Sequence, residues 1–368
     1  MSRYQPNRLT PTIVVVTVCL FYILTVLFSN GGDPMAFVLL GSRFSENNPH
    51  GNEGYDGQFA YQIALHPFSA AAHLDIPAYR YQRILYPLLS RLLAFGQAGL
   101  IPWSLLVVNV FAIGLGTWAT EQLLLDLRVS RWYALIYGLY GGQLLALRAD
   151  LNEPLAQALV QLAMVAWLKK ERFLMMVAFS LATLTKETTL IFYAGFLIYD
   201  SYTPEGIRFK SLRLTSWLTP LPFVTYQLIL WQWLGSPGVG SGGAGATSFS
   251  LPLVGWLEIA QVSFLAFLLI SLIVGPMSIL PAFIGVRLSL HSLRQGQWHP
   301  YIICLLLNSV ILLCLPTSTF REPAAMARLT QGLVVSMLLY GGLIKSRRVL
   351  RYSSLWIFTA VLLLKGVA

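Results

Sequence analysis

The sequence predicts an all-α, polytopic integral membrane protein with about 11 transmembrane helices, on three observations. Of its 368 residues, 56% are hydrophobic and 11% charged, with mean hydropathy +0.65, whereas a soluble domain carries roughly 25% charged residues. Apolar runs recur at 12–28, 101–120, 132–147, 155–168, 173–185, 188–199, 214–234, 262–286, 301–316, 329–344 and 355–364, and several reach the length of a spanning helix. The basic residues cluster in alternate short loops between these runs, as positive-inside topology requires. With the N-terminus in the cytoplasm, 16 of the 25 Lys and Arg fall on that side, among them Arg128, Arg131, Lys169, Lys170, Arg347 and Arg348. A net charge of +10 distributed in this way belongs to a membrane topology, so no nucleic-acid partner is expected.

The first run follows Arg3 and Arg8 like a signal peptide, but it exceeds the ~7–15 residues of such a core and no small-x-small site follows, so it reads as an uncleaved anchor. One integral domain, 1–368, is expected, with a long first external loop at 30–99. Within that loop 54–65 and 84–95 have helical periodicity. The stripe Ile84, Leu85, Leu88, Leu89, Leu92, Leu93 suits a helix lying on the membrane surface, with a plain spanning helix as the competing reading; Arg83 and Arg91 also read, more simply, as side chains snorkelling from such a helix. Residues 173–200 carry cytoplasmic basic flanks at both ends, so this segment enters and returns, turning at 185–188. Each arm offers about 20 Å of helix against ~30 Å of hydrocarbon, which places Lys186 and Glu187 in a recess open to the outside. Glu187 is poorly placed to neutralise Lys186, because adjacent helical side chains point about 100° apart; a bound phosphate fits better. The Gly/Ser-rich stretch 235–252 is read as a flexible external loop, either a lid or a linker. It lacks the G-K-[ST] ending of a P-loop. Cys19, Cys304 and Cys314 lie in apolar runs as packing residues.

Polar clusters fall on the external side: Asp56 with Gln58; Asp75, Arg80 and Arg83; Arg148, Asp150 and Glu153; Lys186 and Glu187; Arg321, Glu322 and Arg328. Taken singly, each also reads as an ion pair tying loops together, and Glu153 before Pro154 as an ordinary helix N-terminus. Converging on one face, they suit an enzyme acting on a lipid-linked substrate. There a carboxylate accepts the proton of an attacking hydroxyl while Arg and Lys stabilise a departing phosphate. His50, His66 and His73 lack metal-ligand spacing; no cofactor is expected, and the residues leave a divalent metal open.

"YDGQFAYQIA" (55–64) followed by "YRYQRILYPLLSRLLAFG" (79–96) resembles the first external loop of GT-C superfamily glycosyltransferases. The nearest likeness is to bacterial membrane proteins of cell-surface glycopolymer formation, with protein O-mannosyltransferases and aminoarabinose transferases more distant. "LNEPLAQAL" (151–159), "LTKETTL" (184–190) and "FREPAAMARLTQGL" (320–333) are similar to further motifs of that set. The resemblance covers the first 200 or so residues best. It implies a GT-C-like fold with amphipathic helices in the first external loop, in a multi-pass protein of the bacterial inner membrane whose active site faces the periplasm. The implied activity is inverting transfer of a sugar from a polyprenyl-phosphate carrier to a glycan or lipid acceptor, with membrane lipids as surroundings. It makes Asp56 and Glu153 the candidate catalytic carboxylates, either of them the base. Tyr55, Gln58, Arg80, Arg83, Lys186, Glu187, Arg321 and Glu322 become candidate substrate contacts. Where the GT-C pattern has a second acidic residue after Asp56, this chain has Gly57. Two other classes remain: a lipid or glycan transporter, which would hold its ionisable groups at the bilayer midplane, and a non-catalytic subunit of a polysaccharide assembly complex.

Overall fold

A computed structural model describes residues 9–203, 206–207, 214–242 and 249–365. Arg3, Arg8, Arg208, Lys210 and Arg213, which contribute to the charge asymmetry, and 243–248 of the Gly/Ser-rich loop lie outside the described residues. The described chain is helical apart from one antiparallel pair, β1 (Tyr202–Thr203) with β2 (Gly206–Ile207). Three helical stretches, Pro11–Ser29, Ala98–Asp126 and Phe264–Arg294, are long and apolar enough to cross a membrane.

Helix α1 (Pro11–Ser29) starts at Thr10, whose hydroxyl accepts from the Ile13 N–H, with Pro11 in the first position where its missing N–H is harmless. Its apolar surface is broad, and Phe21, Leu24 and Phe28 are exposed, as lipid-facing side chains would be. The first loop folds into α2 (Gly57–Leu65), α3 (Pro77–Tyr81) and α4 (Leu85–Leu93). Helix α4 buries Tyr86, Pro87 and Ser90 and turns Leu88, Leu92 and Leu93 outward, while Leu85 and Leu89 pack against the protein, so the apolar stripe is split between the two sides. Arg91 does not snorkel. Its Nη1 donates to the carbonyls of Ala64 and Leu65 and closes the C-terminus of α2.

Helix α5 (Ile101–Asp126) carries α1 and α4 on its sides, and buried Glu121 near its end accepts the Thr12 N–H at the start of α1. The run 132–147 is broken at Leu139–Tyr140, where Tyr140 is extended, into two short helices, Ala134–Gly138 and α6 (Gly141–Arg148), neither long enough to span. Gly141 and Gly142 let α6 press against the backbones of Thr359 and Ala327.

Helices α7 (Glu153–Leu168), α8 (Arg172–Thr185) and α9 (Leu190–Ser201) follow. The 14 residues of α8 and 12 of α9 give about 21 and 18 Å of helix, so the hairpin turning at Lys186 is as short as the charge pattern demands. Its arms separate: α8 packs on α7, and α9 packs on α13 (Pro300–Leu313).

The run 214–234 breaks at Thr219–Pro220 before α10 (Leu221–Leu234). The run 262–286 becomes α11 (Phe264–Val274) and α12 (Leu280–Arg294), joined by a π-helical turn around Pro276. Helix α14 (Pro323–Leu343) is buried over most of its length and packs on α13. The run 355–364 winds as a 3₁₀ segment, Ser354–Lys365. The main apolar core joins α7, α8, α9, α13 and α14 through Met164, Phe179, Phe192, Tyr301 and Met326.

Candidate functional site: a charged cavity under the first loop

The N-cap position of α2 places Asp56, but its carboxylate makes no capping bond and is left for tertiary partners. Gly57 is pressed so closely on the turn before α7 that a Cβ would run into the Ala149 carbonyl oxygen. This is the physical reason for the glycine: no side chain fits there. Asp56 Oδ1 meets Arg80 Nη2 at 3.0 Å, and Oδ2 accepts from Arg328 Nη1 at 2.9 Å. Burial alone would raise the Asp56 pKa, but the guanidiniums of Arg80 and Arg328 overcome it and hold the carboxyl well below the usual carboxylate range. Its side chain keeps 32% of its surface exposed.

Glu153 sits at the first turn of α7 with only 2% of its side chain exposed. Its Oε1 accepts from Lys186 Nζ at 2.6 Å and from Arg328 Nε at 2.7 Å, while Oε2 has no hydrogen-bond partner. Lys186 therefore finds its counter-charge on Glu153, across the fold, and not on Glu187. Glu187 takes Arg83 instead, bidentately at 3.0 and 2.6 Å. Arg83 Nη2 also donates to the Tyr79 hydroxyl at 2.7 Å. Arg80 forks onto both oxygens of Asp75 at 2.8 and 2.7 Å, and its guanidinium lies over the Phe59 ring, 4.2 Å from the centroid. Tyr55 donates to Glu322 Oε1 at 2.9 Å and receives Arg328 Nη1 at 3.2 Å, tying the first loop to the start of α14.

These side chains border a cavity of about 590 Å³. Its lining includes the charged Asp56, Arg83, Glu153, Lys186, Glu187 and Arg328 and the apolar Leu190, Ile191, Ile311, Leu312, Leu315 and Leu329. Val239, Gly240, Gly242 and Phe249, from the described ends of the Gly/Ser-rich loop, also border it. Behind Asp56 lies a chamber of about 30 Å³ bounded by Arg80, Arg83, Asp150 and Arg328, large enough for a water. Asp150 is fully buried there in a left-handed turn, φ 47°, and neither carboxylate oxygen has a partner. Among the described residues no three His, Cys, Asp or Glu side chains converge to hold a metal ion.

Of the residues singled out from sequence, Asp56, Arg83, Glu153, Lys186, Glu187 and Glu322 border the large cavity. Arg80 stands behind Asp56, and Tyr55 bridges to Glu322 and Arg328. Gln58 is placed elsewhere: its buried amide accepts from Gly41 N–H and donates to the Glu53 carbonyl, so it shapes the loop. Arg321 is exposed and outside the cavity lining, because the chain breaks at Glu322 before α14 begins. Arg328, seven residues on, is the side chain that joins Asp56 to Glu153. Its signal in the sequence was the spacing Ala325, Arg328, Leu329, Gly332, one helical face carrying a lone cation. Uncharged Gln157 and Asn308 also border the cavity; nothing in the sequence marks them beyond polarity within apolar helices.

Comparison with known proteins found no matching family model, no matching curated protein and no matching solved structure.

Proposed function

We propose that this chain is an integral membrane glycosyltransferase, moving a sugar from a polyprenyl-phosphate carrier to a glycan or lipid acceptor with inversion. The observation that carries the reading is a single cavity whose lining combines carboxylates and cations with aliphatic side chains. A lipid phosphate ester matches that combination: an anionic head that Arg83, Lys186 and Arg328 would hold, and an isoprenoid tail suited to Leu190, Ile311 and Leu315. In this reading the acceptor hydroxyl attacks the anomeric carbon and its proton passes to Asp56. The bond from that carbon to the phosphate oxygen breaks with its electron pair on the phosphate, whose charge the cations stabilise. Asp56 is assigned as base because a third of its side chain is exposed, whereas Glu153 is sunk beneath it. In the resting site Arg80 and Arg328 hold Asp56 as a weak base; a phosphate that draws on Arg328 would relax that hold and strengthen it. The accompanying topology is a multi-pass protein of a bacterial inner membrane with the cavity facing outward, a reading that the alternation of basic loops supports.

The test is turnover of radiolabelled undecaprenyl-phosphate sugars by the purified protein in liposomes. Asp56→Asn keeps the shape and cannot take a proton, so turnover is expected to fall on the order of 10²–10⁴-fold, with the melting profile showing the variant folded. Near-normal turnover by Asp56→Asn would remove Asp56 as base. Accumulation of intact donor in the opposite leaflet with no product would favour transport.

A further inference from the structure

From the cavity lining one turn beyond Glu153 and Arg328, we infer a subsite for the transferred sugar, built by Gln157, Asn308 and Gly332 and selective for a neutral polyhydroxylated ring. The inference rests on the glycosyltransferase reading above and deepens it by locating the sugar.

Gln157 lies four residues after Glu153 on α7, and Gly332 four residues after Arg328 on α14. Glu153 and Arg328 are bonded at 2.7 Å, so Gln157 and Gly332 lie one turn further along the two helices, on the same faces. One helical turn is about 5.4 Å, comparable to the breadth of a pyranose ring. Both residues border the cavity, as does Asn308 from α13. Gln157 is more than nine-tenths buried, and its Oε1 has no partner. Asn308 is equally buried, and its orientation is fixed: Nδ2 donates to the Cys304 carbonyl at 2.9 Å and to Ser336 Oγ at 3.3 Å. That leaves Asn308 Oδ1 with no donor among the described residues. Gly332 lies directly against that oxygen, where a Cβ would collide with it. Phe192 completes the wall with an apolar surface suited to the C–H face of a sugar.

The chemistry follows from these atoms. Gln157 and Asn308 each carry an amide with an unpaired polar atom, and neither is charged, so both suit hydroxyl groups. A buried polar atom left unpaired is unfavourable, so a ligand that hydrogen-bonds to both amides gains more than one that fills the space without hydroxyls. The cations lie one turn above, where the phosphate joined to the anomeric carbon would be.

Binding separates this subsite from its parent reading. The probes are undecaprenyl phosphate and undecaprenyl phosphate bearing glucose, mannose or galactose, with affinity measured in nanodiscs. The unaltered protein is expected to bind at least one glycosylated lipid about tenfold tighter than the bare lipid phosphate, the size of effect that two hydrogen bonds supply. Gln157→Met removes one amide at nearly constant volume, and Gly332→Ala closes the space beside Asn308. Each is expected to keep affinity for undecaprenyl phosphate and bring the preference for the sugar down to about twofold or less. An unchanged preference in both folded variants overturns the subsite while leaving the lipid-phosphate reading standing. Binding of neither class of lipid by the unaltered protein overturns both.

Discussion

Arg328 is the residue on which the site turns. Through Nε it holds Glu153 and through Nη1 it holds Asp56 and the Tyr55 hydroxyl, so three segments far apart in sequence meet on one guanidinium. Removing it would leave Glu153 with Lys186 alone and Asp56 with Arg80 alone. Breaking a buried pair by deleting one partner costs about 3–5 kcal/mol. Arg328→Met is therefore expected to lower stability by that order, read as loss of melting temperature in detergent. Its acid dependence is a second readout. Asp56 has a native pKa below its unfolded value, so its ion pairs contribute stability above roughly pH 4 that disappears as pH falls through the native value. In Arg328→Met one of the charges depressing that value is gone, and the acid loss should begin at higher pH than in the unaltered protein. A variant with unchanged melting temperature and an unchanged acid limb would show the guanidinium to be incidental. At this scale the sequence marked the carboxylates, since Asp56 and Glu153 stand in polar stretches beside aromatic residues and proline. It did not separate Arg321 from Arg328. Both follow the same apolar run, and only the helix start at Pro323 decides which one faces the cavity.

At the scale of elements, two features depend on backbone proximity. The α8–α9 hairpin was legible because charge on both flanks and a polar turn between two short apolar arms leave little freedom. The contact of α2 with the turn before α7 was not, because a glycine in sequence does not say what it touches. Gly57 meets the Ala149 carbonyl, and this contact seats Asp56 beside Arg328. Gly57→Ala is expected to force the two backbones apart, costing about 1–3 kcal/mol as overpacking does, with the cavity's charged lining disturbed. Gly99→Ala, where an added Cβ meets nothing within 4 Å, is the matched control and should melt like the unaltered protein. Equal melting of the two variants would remove the close contact as the reason for the glycine.

For the whole molecule, the proposed topology puts the first loop and Gly242, which borders the cavity, on the outer side. With Cys19, Cys304 and Cys314 replaced, a single cysteine at Gly242 is expected to react with a membrane-impermeant thiol reagent in intact cells. Labelling only in inverted vesicles would reverse the orientation and with it the outward-facing site. The runs did not all become single spanning helices. Those at 132–147 and 214–234 are interrupted, and 355–364 is wound as 3₁₀. Apolar composition reports burial in lipid or protein alike, and so it does not distinguish a span from a packed half-helix.

The sequence by itself determined the helical class, the apolar character, the short hairpin and the stretch that carries Asp56, because these follow from local composition and from the spacing of charges along the chain. Tertiary structure alone decided the pairing. Lys186 lies on Glu153 and not on Glu187, Arg83 lies on Glu187, and Arg328 joins Asp56 to Glu153. Which charges meet depends on how α2, α7, the hairpin turn and α14 cross in space. Neighbours in sequence at a helix end point apart, so the partners had to come from other elements, at separations that no local pattern encodes.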